Sequence, residues 1–539
     1  MTELLWLLTI GFPLIGYAEI HFRIPLLPSR LFRREPEIIF DMPVRTEPEG
    51  KLPIFLLIND AHLFPIQISS VTFTCYHSLL DVRENFYFNV DAEISSNYYE
   101  QIFPILLTQS GKWEISAELI GKNRNKSFHA VSDNYRSTSK KPFTVWVSSE
   151  PFPKFLNQQH GDLHHHTRYT FDQVEFGGGI PLSKSAANVL GYDFLCLTDH
   201  SYDLDDLPDN YLKQDPELEK WKQFNKEVSE LNGQKDGTLL IPGFELSTGN
   251  QSGENVHLLL LGQTTFIHGS GDGGEIPFKT KPETTLSEAL GRLDPQTTAF
   301  AAHPFETPST PEKLTLNRGI YTEHDLLTTQ IPLQILNGWL GEAFQKSRQI
   351  WIHFLLAGNR TLIGGGNDSH GNFNRVRQIK LPFFSITEKD SHWFGKFRTV
   401  VQSQEKNEQS ILSALKAGHS YLTNGIALLL KTEKIPDLLF GSELGAERFK
   451  TIVLKTKTTG EFGSIEEVRI YFGTTGQEIE VRVKVPEANC LDFELDFSGI
   501  RLPEGSLYFR IEVEGKLGDF YYQRSQDPLI AFTNPVFLV

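Results

Sequence analysis

The heptapeptide Gly161-Asp162-Leu163-His164-His165-His166-Thr167 sets the reading of this 539-residue chain. Alternate residues of an extended segment face the same way, so His164 and His166 can grip one ion while His165 points elsewhere. A single pair of this kind is weak evidence, because imidazoles are common on protein surfaces. What matters is that the pattern recurs downstream. Asp199-His200 follows the buried run Phe194–Thr198, and Glu245 follows Ile241-Pro242-Gly243-Phe244. His257 lies within Asn255–Leu261, His303-Pro304 follows Ala299–Ala302, and Asn367-Asp368-Ser369-His370 follows Gly364-Gly365-Gly366. Asp368 and His370 again stand two apart. Each residue alone has a bland reading: His200 as a helix cap, Glu245 paired with a lysine, His303 as a turn residue. Together they place an imidazole or carboxylate at the end of strand after strand, which is costly to gather unless cations hold the cluster.

The texture around these residues predicts their scaffold. Over 155–427 buried strand-like runs alternate with helical stretches at Ser183–Leu190, Glu217–Leu231, Thr285–Leu293 and Ala343–Ala357. Asn407 caps a last helix over Glu408–Ala417, ended by Gly418. Such alternation predicts an α/β domain with a parallel sheet, and so many units predict a TIM-like barrel whose strand ends meet at one face. Over 36–150 short alternating runs separated by turns predict an N-terminal β-sandwich, and 428–539 predicts a C-terminal β domain.

The first 35 residues stand apart. Leu4–Tyr17 is almost wholly apolar but contains Pro13 and falls short of the ~20 residues of a bilayer span. Arg23, Arg30, Arg33 and Arg34 follow it, so as an anchor it keeps the body on the cytoplasmic side. It reads equally as a helix packed on the first domain, and membrane association through it stays open. A cytoplasmic placement is the expectation.

Composition narrows the function. The formal net charge is −16 and basic runs are absent, which argues against nucleic acid as partner. Cys75, Cys196 and Cys490 are too far apart for a CxxC pair, and their odd number suggests no disulfide framework. Neither a GxSxG elbow nor a P-loop is present, which disfavours serine hydrolases and NTPases. Arg168, Arg375 and Arg398 are either clamps for an anionic small-molecule substrate or ordinary surface arginines.

The set Asp-Leu-His164-x-His166-Thr, Leu-Thr-Asp199-His200, Glu245, His257, His303-Pro and Asp368-Ser-His370 resembles the PHP family, the polymerase- and histidinol-phosphatase-type phosphoesterases. That resemblance spans Gly161 to Gly425. It implies a distorted barrel of seven βα units and a trinuclear site. On it, His164, His166, Glu245 and Asp368 hold one divalent ion. Glu245 bridges to a second, completed by His257 and His303, and Asp172, His200 and His370 hold a third. Asp199 orients a ligand histidine. Zinc, manganese and iron all suit such donors, two or three ions per chain. The implied activity is phosphoester hydrolysis by a metal-activated water, with no protein nucleophile. Lys416–Gly425 and Thr533-Asn534-Pro535 resemble the carbaryl-hydrolase-like branch, which brings in carbamate, ester and amide cleavage as the alternative. A non-catalytic binding module is the remaining reading.

Overall fold

The computed structural model describes residues 35–539 except 124–125, 135–139, 171–176, 209, 235–236, 273–279, 372, 376–377, 381–384, 388–391, 434, 436–437, 475, 486–488 and 520–526. The apolar N-terminal segment and Asp172 lie outside the described residues. Among the described residues, no helix is long and apolar enough to cross a membrane. The chain divides into two compact units.

The first unit comprises Met1–Pro151, Phe171–Leu190 and His370–Phe394. Glu37–Asp41, Leu52–Asn59 and Tyr98–Ile105 form one antiparallel sheet. Ile66–His77, Val82–Ile94, Gly111–Asn123 and Phe143–Val147 belong to a six-stranded second sheet. Strand alternation supplies the core: Trp113, Ile115, Ala117 and Leu119 are buried at every second position. Phe40 of one sheet meets Phe73 of the other edge-on, with centroids 5.9 Å apart. The returning segment is tied in by Asp41, whose carboxylate accepts the backbone N–H groups of Phe373 and Asn374 at 3.0 Å. Arg375 pairs with Asp133 at 2.8 Å, so it serves this unit as a strut.

The second unit comprises Phe152–Thr170, Gly191–Ser369 and Gly395–Val539. Its strands are β1 (Gln158–Asp162), β2 (Phe194–Leu197), β3 (Leu239–Gly249), β4 (Asn255–Leu261), β5 (Thr298–Ala301), β6 (Leu333–Asn337), β7 (Ile363–Gly366), β8 (Arg398–Gln402), β9 (Ser420–Thr423), β10 (Gly463–Thr474), β11 (Val481–Lys484), β12 (Ser506–Leu517) and β13 (Leu529–Thr533). They run through a 15-stranded sheet in the order β7-β6-β5-β4-β3-β2-β1-β8-β9-β13-β12-β10-β11, and Glu443–Leu444 and Val536–Leu538 pair off this path. Helices α1 (Glu219–Asn232), α2 (Glu342–Leu356) and α3 (Glu408–Lys416) lie between strands in sequence. Asn407 caps α3, its side chain accepting from the Ser410 N–H at 2.8 Å.

This architecture corrects the expected seven-unit parallel TIM-like barrel with separate flanking sandwiches. The sheet is mixed, with antiparallel joints at β1/β8, β3/β4 and β4/β5. At β3/β4 the physical reason is connection length. Residues 250–254 join β3 to β4, whereas a parallel crossover needs about a dozen residues or more. Asn250 and Gly253 close that turn, Gly253 at φ +74° donating its N–H to the Asn250 carbonyl. Nor do the C-terminal strands all form a domain of their own. β13 pairs with β9 through Tyr421 and Thr533, so β10 to β13 continue the same sheet. Ala427–Lys431, Val453–Lys457 and Asp492–Asp496 make a separate three-stranded sheet.

Asn534 locks that continuation. Its Oδ1 accepts the Ile363 N–H at 2.8 Å, and its Nδ2 donates to the Ile363 carbonyl and Ser420 Oγ, both at 3.0 Å. Asn534→Ala should cost about 1–3 kcal/mol for each backbone group left buried without a partner. The expected outcome is a clearly lowered melting temperature by circular dichroism. A melt unchanged from wild type would refute the role of this joint.

Candidate metal centre

Glu245 is the hub. It lies within β3, 1% exposed, with five imidazoles around its carboxylate. Oε1 faces His257 Nδ1 at 2.8 Å, His303 Nε2 at 3.1 Å and His164 Nε2 at 3.5 Å. Oε2 faces His200 Nδ1 at 3.0 Å and His166 Nε2 at 3.4 Å. Asp368 Oδ1 stands 3.2 Å from both His164 Nε2 and His166 Nε2. Both carboxylate oxygens thus face imidazoles, as a bridging ligand requires.

The backbone explains the convergence. The segment after β1 runs beside the segment after β7: the Asp368 N–H donates to the His164 carbonyl and the His166 N–H to the Ser369 carbonyl, each at 2.9 Å. Gly366 permits that approach, since a Cβ there would lie 2.6 Å from His164 Cβ. Asp162 pins both segments, accepting from the backbone N–H groups of His164 and Asn367 at 3.1 Å. Burial pushes the Asp162 carboxyl up to about 6 despite these bonds. His303 and Asp368 are held at φ +29° and +52°, a left-handed strain of about 1–3 kcal/mol each that is commonly found at functional sites. His165 turns away, its Nδ1 2.7 Å from Ser369 Oγ.

Outer contacts set ring orientation. His164 Nδ1 lies 3.0 Å from Gln334 Oε1, and His166 Nδ1 lies 2.9 Å from Thr170 Oγ1. Asp199 acts one step further out than a direct contact to a ligand histidine. It accepts the Thr167 and Thr170 N–H groups at 2.7 and 2.8 Å, fixing the loop that carries the Thr170 hydroxyl. Asn337 Nδ2 donates to Asp368 Oδ2 at 3.1 Å. Asp272, which sequence reasoning passed over, accepts from His257 Nε2 at 2.7 Å. No periodicity marks it, because it lies outside the strands.

Ligand-sized groups are His164/His166/Asp368, His164/Glu245/His303 and His200/Glu245/His257, with donor atoms in each within 4.8 Å of one another. Seven of the nine expected residues therefore converge within the second unit. The grouping crosses the expected partition, since His303 sits with His164, and His257 with His200. His370 is partly buried and belongs to the first unit. Arg398 is 2% exposed and stacks over Phe152 and Tyr192 at 3.6 and 4.5 Å, so it is a core cation and not a substrate clamp. Arg168 rests over Tyr169 at 5.4 Å.

The donor chemistry fits divalent ions. Burying a lone carboxylate costs several kcal/mol, so Glu245 needs cations beside it. Without metal, protons supply them. Burial opposes charge on His164 and His257, yet Asp368 and Glu245 lift His164 to about 10, and Glu245 and Asp272 lift His257 to about 9. Burial likewise opposes ionisation of Glu245, but His257 and His164 hold it well below its ordinary value. Even so, His257 Nδ1 is buried without a hydrogen bond, 2.8 Å from Glu245 Oε1. An ion there would satisfy both atoms.

No family model matches the chain. No curated protein matches it either. Among solved structures, similar chains include a tetra-tandem repeat from the extending region of a large adhesion protein. It is 9% identical, with 94% of this chain and 74% of that chain covered and a TM-score of 0.13. A Bacteroides uniformis β-glucuronidase 2 is 9% identical, with 94% and 62% covered and a TM-score of 0.17. A glycosyl hydrolase family 2 member from Bacteroides cellulosilyticus is 10% identical, with 89% and 67% covered and a TM-score of 0.15. Scores this low establish neither a shared fold nor a shared activity.

Two outcomes test the geometry. His166→Ala should lose bound metal by elemental analysis, whereas His165→Ala should keep the wild-type content; equal loss would mean the facing is wrong. Loading the metal-free protein with zinc at pH 7.5 should release protons, because His164 and His257 keep theirs up to about 10 and 9 in the free site. Calorimetry in buffers of different ionisation enthalpy should therefore give different apparent binding enthalpies.

Proposed function

We propose that this protein is a metal-dependent hydrolase that cleaves phosphoesters of small anionic molecules at a multinuclear, three-ion site. The observation that carries the reading is Glu245, buried and shared by five imidazoles on its two oxygens. His164, His166, Glu245, His257, His303, Asp368 and His200 would hold the ions. The resemblance to the PHP family adds Asp172 and His370 to that set. When bound, divalent ions acidify water towards neutrality and offset the charge that develops on substrate oxygens.

The chain's own residues prepare that chemistry. Glu245 spreads one negative charge over two ion positions. Asp162, Gln334 and Thr170 keep His164 and His166 in fixed poses, which lowers the reorganisation needed on binding. The reading asks no side chain to act as nucleophile. Cys196, the sulfur in the core of this unit, is fully buried, and burial pushes its thiol well above the ordinary range.

Glu245→Gln keeps the shape of the hub but removes the shared charge. It should lower metal affinity by more than about 100-fold, the upper range for losing a mere outer partner. Chelation should abolish phosphoester turnover, and zinc or manganese should restore it. Full activity after exhaustive chelation would sink the metal reading. Carbamate or ester turnover with none on phosphoesters would sink only the substrate class.

A further inference from the structure

Four of the imidazoles around Glu245 can be compared by what lies behind them. His164 Nδ1 meets an amide oxygen, Gln334 Oε1, at 3.0 Å, and His166 Nδ1 meets a hydroxyl, Thr170 Oγ1, at 2.9 Å. His303 Nδ1 is 3.9 Å from Glu306 Oε2, beyond hydrogen-bond reach. His257 differs in kind: its Nε2 lies 2.7 Å from Asp272 Oδ2, and that carboxylate is fully buried.

Asp272 is itself held on both sides. Ser247 Oγ donates to Oδ1 at 2.6 Å, and Arg318 Nε donates to Oδ2 at 2.9 Å. Ser247 and His257 are direct cross-strand partners of β3 and β4, so one strand pair delivers two of the three groups that grip this carboxylate. The Arg318 backbone bridges to Asn255 at the start of β4, which fixes the guanidinium to the same strand.

His257 Nε2 lies 2.7 Å from Asp272 Oδ2 and 3.1 Å from Arg318 Nη2. The carboxylate is the shorter contact, and an unprotonated Nε2 would set its lone pair against it, so Nε2 carries the hydrogen and donates it. With the Nε2 proton held by Asp272, Nδ1, 2.8 Å from Glu245 Oε1, is the nitrogen that would give up its proton to a metal ion. A carboxylate behind an imidazole raises its basicity more than an amide or a hydroxyl does.

We propose that Asp272, braced by Arg318 and Ser247, is a positioning residue that makes His257 the strongest of these imidazole donors, so that the ion of the His200/Glu245/His257 group is bound most tightly. This rests on the metal-centre reading above.

The test uses the full chain, zinc binding by chelator competition, and the visible spectrum of the cobalt-substituted protein. In Asp272→Asn the tightest ion should weaken by about 10–100-fold while the others keep their affinities, and the cobalt spectrum should change. Gln334→Ala, acting behind His164, should leave that tightest ion unchanged. Wild-type affinity and spectrum in Asp272→Asn would overturn the proposal. So would an equal weakening of every ion with a lowered melting temperature, the mark of a merely structural role. If Asp272→Asn does not fold, Ser247→Ala should weaken the same ion by a smaller factor, and no change there overturns the proposal. A wild-type chain that binds no zinc overturns this inference and the metal reading together. One that binds its ions but cleaves no phosphoester overturns the proposed reaction alone.

Discussion

A buried carboxylate ringed by imidazoles is the constraint on which the second unit depends. Glu245 is shielded from water, so the several kcal/mol lost in desolvating its charge must come back from cations within a few ångströms. Protons on His164 and His257 can do this, and divalent ions can do it better, because each brings two charges without an added side chain. On the proposed reading the cluster is an ion-paired core when free and would become a metal centre when loaded. A hydrophobic residue in place of Glu245 would leave those rings with no shared anion, which is why this position governs the others.

The surrounding fold reads as the means of bringing these groups to Glu245. Pro242-Gly243-Phe244 carries β3 inward to the hub, and His257 comes from the antiparallel neighbour. His164, His166 and Asp368 come from two segments whose backbones hydrogen-bond directly. Gly366 lets those segments touch, and Asp162 ties them through two backbone N–H groups. His303 and Asp368 accept left-handed backbone angles that their side chains resist. Strain at two candidate ligands persists because the hydrogen bonds around them leave no other arrangement.

The candidate site was far more legible in the sequence than the fold. Spacing of two in His164-x-His166 is a local property, and a strand converts it directly into a shared face. Buried runs likewise marked nearly every central strand, and Asn407 marked a helix start. Strand direction is not local in this sense. β3, β4 and β5 look like any parallel run, and only the short Asn250–Glu254 connection betrays the hairpin. Sheet continuity from β9 to β13 depends on pairing across more than a hundred residues, which no periodicity encodes. Asp272 and Gln334 were invisible for a related reason: their contacts to His257 and His164 lie across the fold, not along it. Arg375 and Arg398 err the other way, since charge alone cannot tell a substrate clamp from a buried strut.

The phrases Lys416–Gly425 and Thr533-Asn534-Pro535 show what a motif can be for. They suggest a choice of substrate, yet residues within them have structural partners. Gly418 turns at φ +73°, and His419 Nδ1 meets the Phe440 carbonyl at 2.7 Å. Thr423 Oγ1 accepts the Gly425 and Ile426 N–H groups at 3.1 and 2.8 Å and donates to the Ile530 carbonyl. Asn424 Oδ1 accepts the Ile530 N–H at 2.8 Å, and Asn534 clasps Ile363 and Ser420. Together they build the corner where β9 meets β13 and the sheet continues into its C-terminal strands. A corner of buried polar side chains restricts sequence as strongly as a catalytic cleft, because each unsatisfied backbone group would cost about 1–3 kcal/mol. These phrases therefore carry information about how the sheet is joined. Substrate choice has to be sought among the groups that face Glu245.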